Sequence, residues 1–182
     1  APSKGTPIAR LSAFVNEVET HSPFRKKLLP EVSAMFTELA PYAGFGMKLV
    51  FGNVWLFGPV LKAVMPAISA QAGAMLKTTI AFTVQKGSDA YNVLPQEAYV
   101  GANMRFIPHQ GEKESLEIIK KVAGKYGLET EVLHANDYTP PVDIHGEAFH
   151  LVEQTIADTF PGLPSSPYVM TGATDAQFYQ PI

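Results

Sequence analysis

The chain has 182 residues, 14 basic against 17 acidic for a net charge of -3, and no cysteine. That length supports one good hydrophobic core, or a domain of about 100 residues with part of another. The charge balance gives no electrostatic footprint for a phosphate backbone, so nucleic acid is not an expected partner; the lack of cysteine removes disulfides, thiol nucleophiles and thiolate metal sites, leaving any metal to His and carboxylates.

In chain order, Ala1 to Thr6 holds neither the apolar core of a signal peptide nor a lipidation motif. A chain that opens on Ala1 is expected to be a piece of a longer protein. From Thr6 to Thr20, the residues Ile8, Leu11, Val15 and Val18 recur at three- and four-residue spacing with Arg10, Asn16, Glu17 and Glu19 between them. This spacing predicts an amphipathic helix with Thr6 as N-cap and Pro7 at its first position, ended by His21-Ser22-Pro23. From Phe24 to Leu76 the composition turns apolar: Leu49 to Leu61 carries no charge and is bracketed by Lys48 and Lys62. The uncharged run is too short to span a bilayer as a helix, which takes about 20 residues, so no span is expected and membrane contact ranks low among the partners. Gly44, Gly46, Gly52, Gly58, Pro59 and Pro66 are expected to break the segment into short helices around Met47, Phe51, Trp55, Phe57 and Met65. Four uses fit such a segment: a helical insertion packed on its own core, an apolar groove for a greasy substrate, a subunit interface, or an interfacial membrane contact.

Thr78 to Lys86 alternates Ile80, Phe82 and Val84 against Thr79, Thr83 and Gln85, which predicts a strand, and Gly87-Ser88-Asp89 is turn chemistry. Asn92-Val93-Leu94-Pro95 then feeds a second strand. In it Ala98, Val100, Ala102, Met104 and Phe106 are expected to face the core, and Tyr99, Gly101, Asn103 and Arg105 to face away. After Pro108 and Gly111, Leu116, Ile119, Val122, Ala123 and Tyr126 form one face of a helix that Gly127 caps, and Leu128 to His134 alternates as a third strand. This order is a split βαβ pattern once one further strand precedes Ala1. Tyr138-Thr139-Pro140-Pro141-Val142 has neither periodicity and reads as a boundary. A helix from Gly146 to Phe160 and a short apolar strand, Tyr168 to Met170, lead into the loop Thr171 to Asp175. The expected division is therefore residues 1–137, with an insertion at 24–76, and a partial segment at 138–182.

Five histidines are present, but none stand four apart and no HExxH occurs, so His21, His109, His134, His145 and His150 are assigned surface or packing roles. No GxSxG nucleophile elbow and no phosphate-binding glycine loop occur. The loop Gly172-Ala173-Thr174-Asp175 offers backbone N–H groups and a hydroxyl to an anion at a following helix start, or Asp175 serves simply as an N-cap.

Taken in order, the helix from Ile8, Phe51-Gly52-Asn53-Val54-Trp55-Leu56-Phe57-Gly58-Pro59, Thr78-Thr79, Asn92-Val93-Leu94-Pro95, Asn103-Met104-Arg105 and Thr174-Asp175 resemble the zinc aminoacylase and carboxypeptidase superfamily. The branch most similar is the carboxypeptidase S-like one, which includes enzymes that split N-fatty-acyl amino acids. The resemblance implies an α+β, ferredoxin-like lid domain, an antiparallel sheet with two helices on one face, followed by the start of a second catalytic α/β segment. It implies a homodimer formed through the lid, and two zinc ions in the parent enzyme whose ligands lie outside this chain. The implied substrate is an N-acyl amino acid or small peptide with a free carboxylate, contacted by Asn92, Arg105, Gly172, Thr174 and Asp175; a further hypothesis, not part of the resemblance, is that the apolar insertion, Leu49 to Leu61, shapes the acyl pocket or covers the site. The family commonly has Arg where this chain has Gln177, which donates only weaker, neutral hydrogen bonds. The competing expectation is a non-catalytic ferredoxin-like dimerisation module.

Overall fold

The computed structural model describes residues 4–136, 140–172 and 175–179. The chain divides into two compact units, one made of Ala1–Arg25, Thr78–Phe106 and Gln110–Tyr138, the other of Lys26–Lys77, Ile107–His109 and Thr139–Ile182.

The first unit is α+β. Helix α1 (Pro7–Thr20) starts where Pro7 is preorganised for the first turn, with Thr6 as N-cap residue. In the second unit come α2 (Pro30–Leu39), α3 (Phe45–Phe51), α4 (Val54–Ile68) and α5 (Ala70–Ala74). The first unit resumes with strands β1 (Thr79–Lys86) and β2 (Tyr99–Arg105), an antiparallel pair, and helix α6 (Gly111–Lys125). Phe14 and Val18 of α1 and Ile119, Val122 and Ala123 of α6 form one core with Phe24, and Ile80, Phe82, Val100 and Met104 of the hairpin pack against it. Both helices thus bury their apolar stripes on the same face of the sheet, and the Phe14 and Phe82 rings meet edge to face at 5.6 Å.

Three expectations for this unit are corrected, the first being Phe106, which lies past the end of β2 and is 37% exposed instead of facing the core. Val84 does not face the core: an irregularity between Phe82 and Val84 shifts the register, so Val84 lies opposite Gly101 on the outer face and is 51% exposed. An extra residue in one strand reverses its alternation from that point on, and Gly101 leaves the room, since a Cβ there would sit 3.3 Å from that of Val84. Leu128 to His134 has the alternation of a strand but forms none, and Leu133 is 87% exposed. Alternation yields a strand only where a neighbouring edge supplies hydrogen bonds, and among the described residues no third strand pairs with the hairpin.

In the second unit the Lys27 N–H donates to the Leu76 carbonyl at 2.8 Å, joining the two ends of the helical excursion. Its core is Leu29, Val32, Met35, Val54, Leu61, Met65, Met75, Leu76 and Ile107. The expected breaks are only partly realised. Chain direction changes by 107° between α3 and α4 at Gly52-Asn53, where the Asn53 amide donates to the Leu49 carbonyl at 2.9 Å, yet α4 continues through Gly58, Pro59 and Pro66. Burial of Val54, Gly58, Leu61 and Met65 along one side outweighs the backbone bonds the prolines remove. Helix α7 (Glu147–Thr159) forms as its periodicity predicts but buries none of its residues. Tyr168 to Met170 is not a strand; Val169 packs against the core of this unit, and the Tyr168 hydroxyl accepts from Gln71 Nε2 at 2.9 Å.

Candidate substrate-contacting site

Asn92 sits in the β1–β2 connection. The Ala90 N–H donates to Ser88 Oγ at 3.2 Å, and the Val93 N–H to the Ala90 carbonyl at 3.4 Å, so Asn92 occupies the third position of a four-residue turn, where Asn is favoured. Its side chain is exposed. Arg105 closes β2 opposite Thr79, and Asn103 lies opposite Ala81; both are exposed on the outer face, as the alternation predicts. The hairpin does not bring Asn92 and Arg105 to one end. β2 runs about 20 Å from the loop side at Tyr99 to Arg105, so the two residues mark opposite ends of one ribbon.

Gly172 and Asp175 belong to the second unit. Gly172 lies in an exposed bend, and Asp175 opens a 3-10 helix that runs only to Phe178. One turn of this kind sums too few peptide dipoles to hold an anion on its own, so the expected helix-start site is reduced to individual donors. Thr174 lies outside the described residues.

The zinc implied by the resemblance finds no fit here. Among the described residues no three His, Asp or Glu side chains converge on a point that could hold a metal ion. The histidines engage neighbours in sequence instead: His134 with Asn136 at 3.0 Å and His150 with Glu153 at 3.1 Å.

Two polar groupings escape sequence reading because their members are far apart in the chain. Thr78 Oγ1 and Ser115 Oγ, both fully buried, hydrogen bond at 3.1 Å, joining the residue before β1 to the second turn of α6. The half-buried Glu17 carboxylate takes a 2.7 Å ion pair from Lys125 Nζ and a hydrogen bond from the Tyr126 hydroxyl, tying α1 to the end of α6. Lys125, then Tyr126, hold the Glu17 carboxyl below its ordinary 4.5, and the same hydrogen bond pushes the Tyr126 phenol up from 10.0. A carboxyl lowered on folding stabilises the folded state fully above the unfolded value, and that contribution fades as pH falls through the folded value. The Glu17→Gln variant is therefore expected to lose stability at neutral pH and to show a flatter decline below about pH 4.5, as read from thermal midpoints across the acid range; parallel curves for the two proteins would remove Glu17 from the acid transition.

A hairpin backed by two helices on one face, with an exposed polar loop and an arginine at its far end, defines an accessory domain more than a reaction centre. The chain matches the peptidase dimerisation domain of the M20 family over residues 7–131, and it belongs to that family. Its relatives include the N-fatty-acyl-amino acid synthase/hydrolase PM20D1 of Xenopus tropicalis, 30% identical over 98% of this chain and 35% of the relative. The protein of the same name from Homo sapiens is 31% identical, with 98% and 36% covered. A probable carboxypeptidase S-like 2 of Dictyostelium discoideum is 24% identical over 98% of this chain and 34% of its own length. The chain thus spans about a third of the curated relatives it matches, and no solved structure matches it.

Proposed function

We propose that this chain is the ferredoxin-like lid of an M20 hydrolase that cleaves the amide bond of N-acyl amino acids or of small peptides ending in a free carboxylate. The match to the dimerisation domain over residues 7–131, together with relatives named as N-fatty-acyl-amino acid synthase/hydrolases, carries this reading. In the reaction, water adds across the C–N bond to release a carboxylate and an amine. The planar fork of Arg105 suits the substrate carboxylate, to which it offers two parallel hydrogen bonds. Asn92, about 20 Å away at the other end of the ribbon, does not meet the same substrate molecule as Arg105 of its own chain; in a homodimer its amide suits the acyl carbonyl oxygen of the substrate held with a second copy, where donors are most valuable as negative charge develops. Gly172, Thr174 and Asp175 line the substrate from the following segment, and residues 138–182 open the second catalytic segment. Zinc and its ligands belong to the remainder of the parent. The test is hydrolysis by the full-length protein of an N-fatty-acyl amino acid beside the same compound with its carboxylate esterified. Preference for the free acid supports the reading, and indifference to the ester, or no cleavage of either, sinks it.

A second reading, that the isolated chain is a dimerisation module without activity of its own, draws on the same family match and on the lack of a metal-ligating group among the described residues. Light scattering after size exclusion distinguishes a dimer that persists at low micromolar concentration from a monomer.

A further inference from the structure

Helix α4 is apolar on both sides. Val54, Gly58, Leu61 and Met65 are buried in the core of the second unit. The outward positions Trp55, Leu56, Pro59, Val60, Ala63, Val64, Ala67 and Ile68 are all exposed, with no polar or charged residue among them. Their spacing of one, three, one and three makes a single stripe about 20 Å long. Trp55 is 82% exposed and Ile68 71%, and α3 adds Phe45 at 88% and Leu49 at 53%. A helix apolar all round belongs either inside a large protein or against lipid, and a contiguous exposed patch of this kind marks a binding surface.

Charge distinguishes the occupants. Residues 26–77 contain Lys26, Lys27, Lys48, Lys62 and Lys77 against Glu31 and Glu38, five minus two or +3, in a chain of net charge -3, so the remainder carries -6. No carboxylate occurs between Glu38 and Asp89. Two copies meeting through this stripe in a two-fold contact would set like charges against each other. An anionic lipid surface complements both properties, the apolar stripe entering the acyl boundary and the lysines meeting phosphates. Among the described residues no single helix is long and apolar enough to cross a membrane; α3 and α4 reach that length and composition only together and are bent by 107°, and a bent pair with one side of α4 buried in its own core fits lying in the interface. The low rank of membrane contact rested on the length of the uncharged run, which governs spanning and not interfacial seating.

We propose that α3 and the outer face of α4 form a membrane-docking surface for anionic bilayers, with Trp55, Leu56, Val60 and Ile68 entering the acyl boundary and Lys48 and Lys62 meeting the headgroups. This stands independently of the hydrolase reading. The experiment is flotation of the full-length protein with phosphatidylcholine vesicles, with and without phosphatidylglycerol. The wild-type protein floats with the anionic vesicles. Trp55→Ser/Val60→Ser lowers its partition at least about tenfold with an unchanged thermal midpoint, since both side chains are exposed. Lys48→Gln/Lys62→Gln weakens binding to anionic vesicles only, as does added salt. Three results overturn the proposal: wild-type protein that ignores both vesicles; a serine pair that binds as the wild type does; or a serine pair that lowers the thermal midpoint or splits a dimer while the lysine pair has no effect, which would mean that protein covers the stripe. Loss of long-chain hydrolysis in vesicle-free buffer with vesicle binding intact would likewise overturn it, assigning the stripe to the acyl chain of a substrate.

Discussion

If the proposed lid role holds, replacing Arg105 by Ala in the full-length protein is expected to lower kcat/KM for an N-acyl amino acid about 100-fold while leaving its carboxylate ester almost unaffected. The size follows from a charge-assisted, two-pronged hydrogen bond, worth about 3 kcal/mol when its partner is left without a donor. Arg105 is exposed at the end of β2, so the substitution leaves the core of the first unit in place. Arg105→Lys recovers only part of the loss, because an ammonium group is a point charge without the planar fork. Steady-state kinetics on the acid and its ester are the measurement. Equal losses on both would make Arg105 a support of the hairpin, and unchanged activity would remove it from the site.

Truncating Leu76 to Ala is expected to cost the second unit about 2–5 kcal/mol, the range for a leucine cut back in a well-packed core. Leu76 is completely buried beside Leu29, Val32 and Met75, and its carbonyl receives the Lys27 N–H that joins the ends of the helical excursion. The loss should register locally. Amide exchange in α2 and α4 should accelerate while that in α6, which belongs to the other unit, changes little. A uniform acceleration in both units would show that they unfold together, and no acceleration would show that the Leu76 site collapses around the truncation.

Much of the first unit was legible because its signals are local. The spacing of Leu11, Val15 and Val18 gives α1, Pro7 sets its start, and the stripe of Ile119, Val122 and Ala123 with Gly127 at positive φ gives α6 and its end. The alternation from Tyr99 to Arg105 sends Arg105 outward, as found. The candidate site residues could be picked out only as a set of fragments. Asn92 was marked by its turn and Arg105 by its strand parity, but their placement at opposite ends of the ribbon depends on the pairing of β1 with β2.

Other features depended on contacts between distant residues. The alternation of Leu128 to His134 is real, yet no strand forms without an edge beside it. Pro59 and Pro66 signal breaks, yet α4 runs through them because one side of the helix is buried. The shifted register at Val84 and the Glu17–Lys125–Tyr126 cluster arise between segments far apart in the chain, and periodicity carries no trace of them.

By itself the sequence determined α1, α6 and α7, the hairpin, the family and the uncharged character of residues 49–61, since each is written in nearest-neighbour chemistry or in residue order. Only the tertiary structure decided which face of α4 is left uncovered, which strand lacks a partner and where Asn92 and Arg105 stand along the hairpin. Those outcomes turn on which surfaces meet, and burial and hydrogen bonding between remote segments are settled by packing after the local pattern has been fixed.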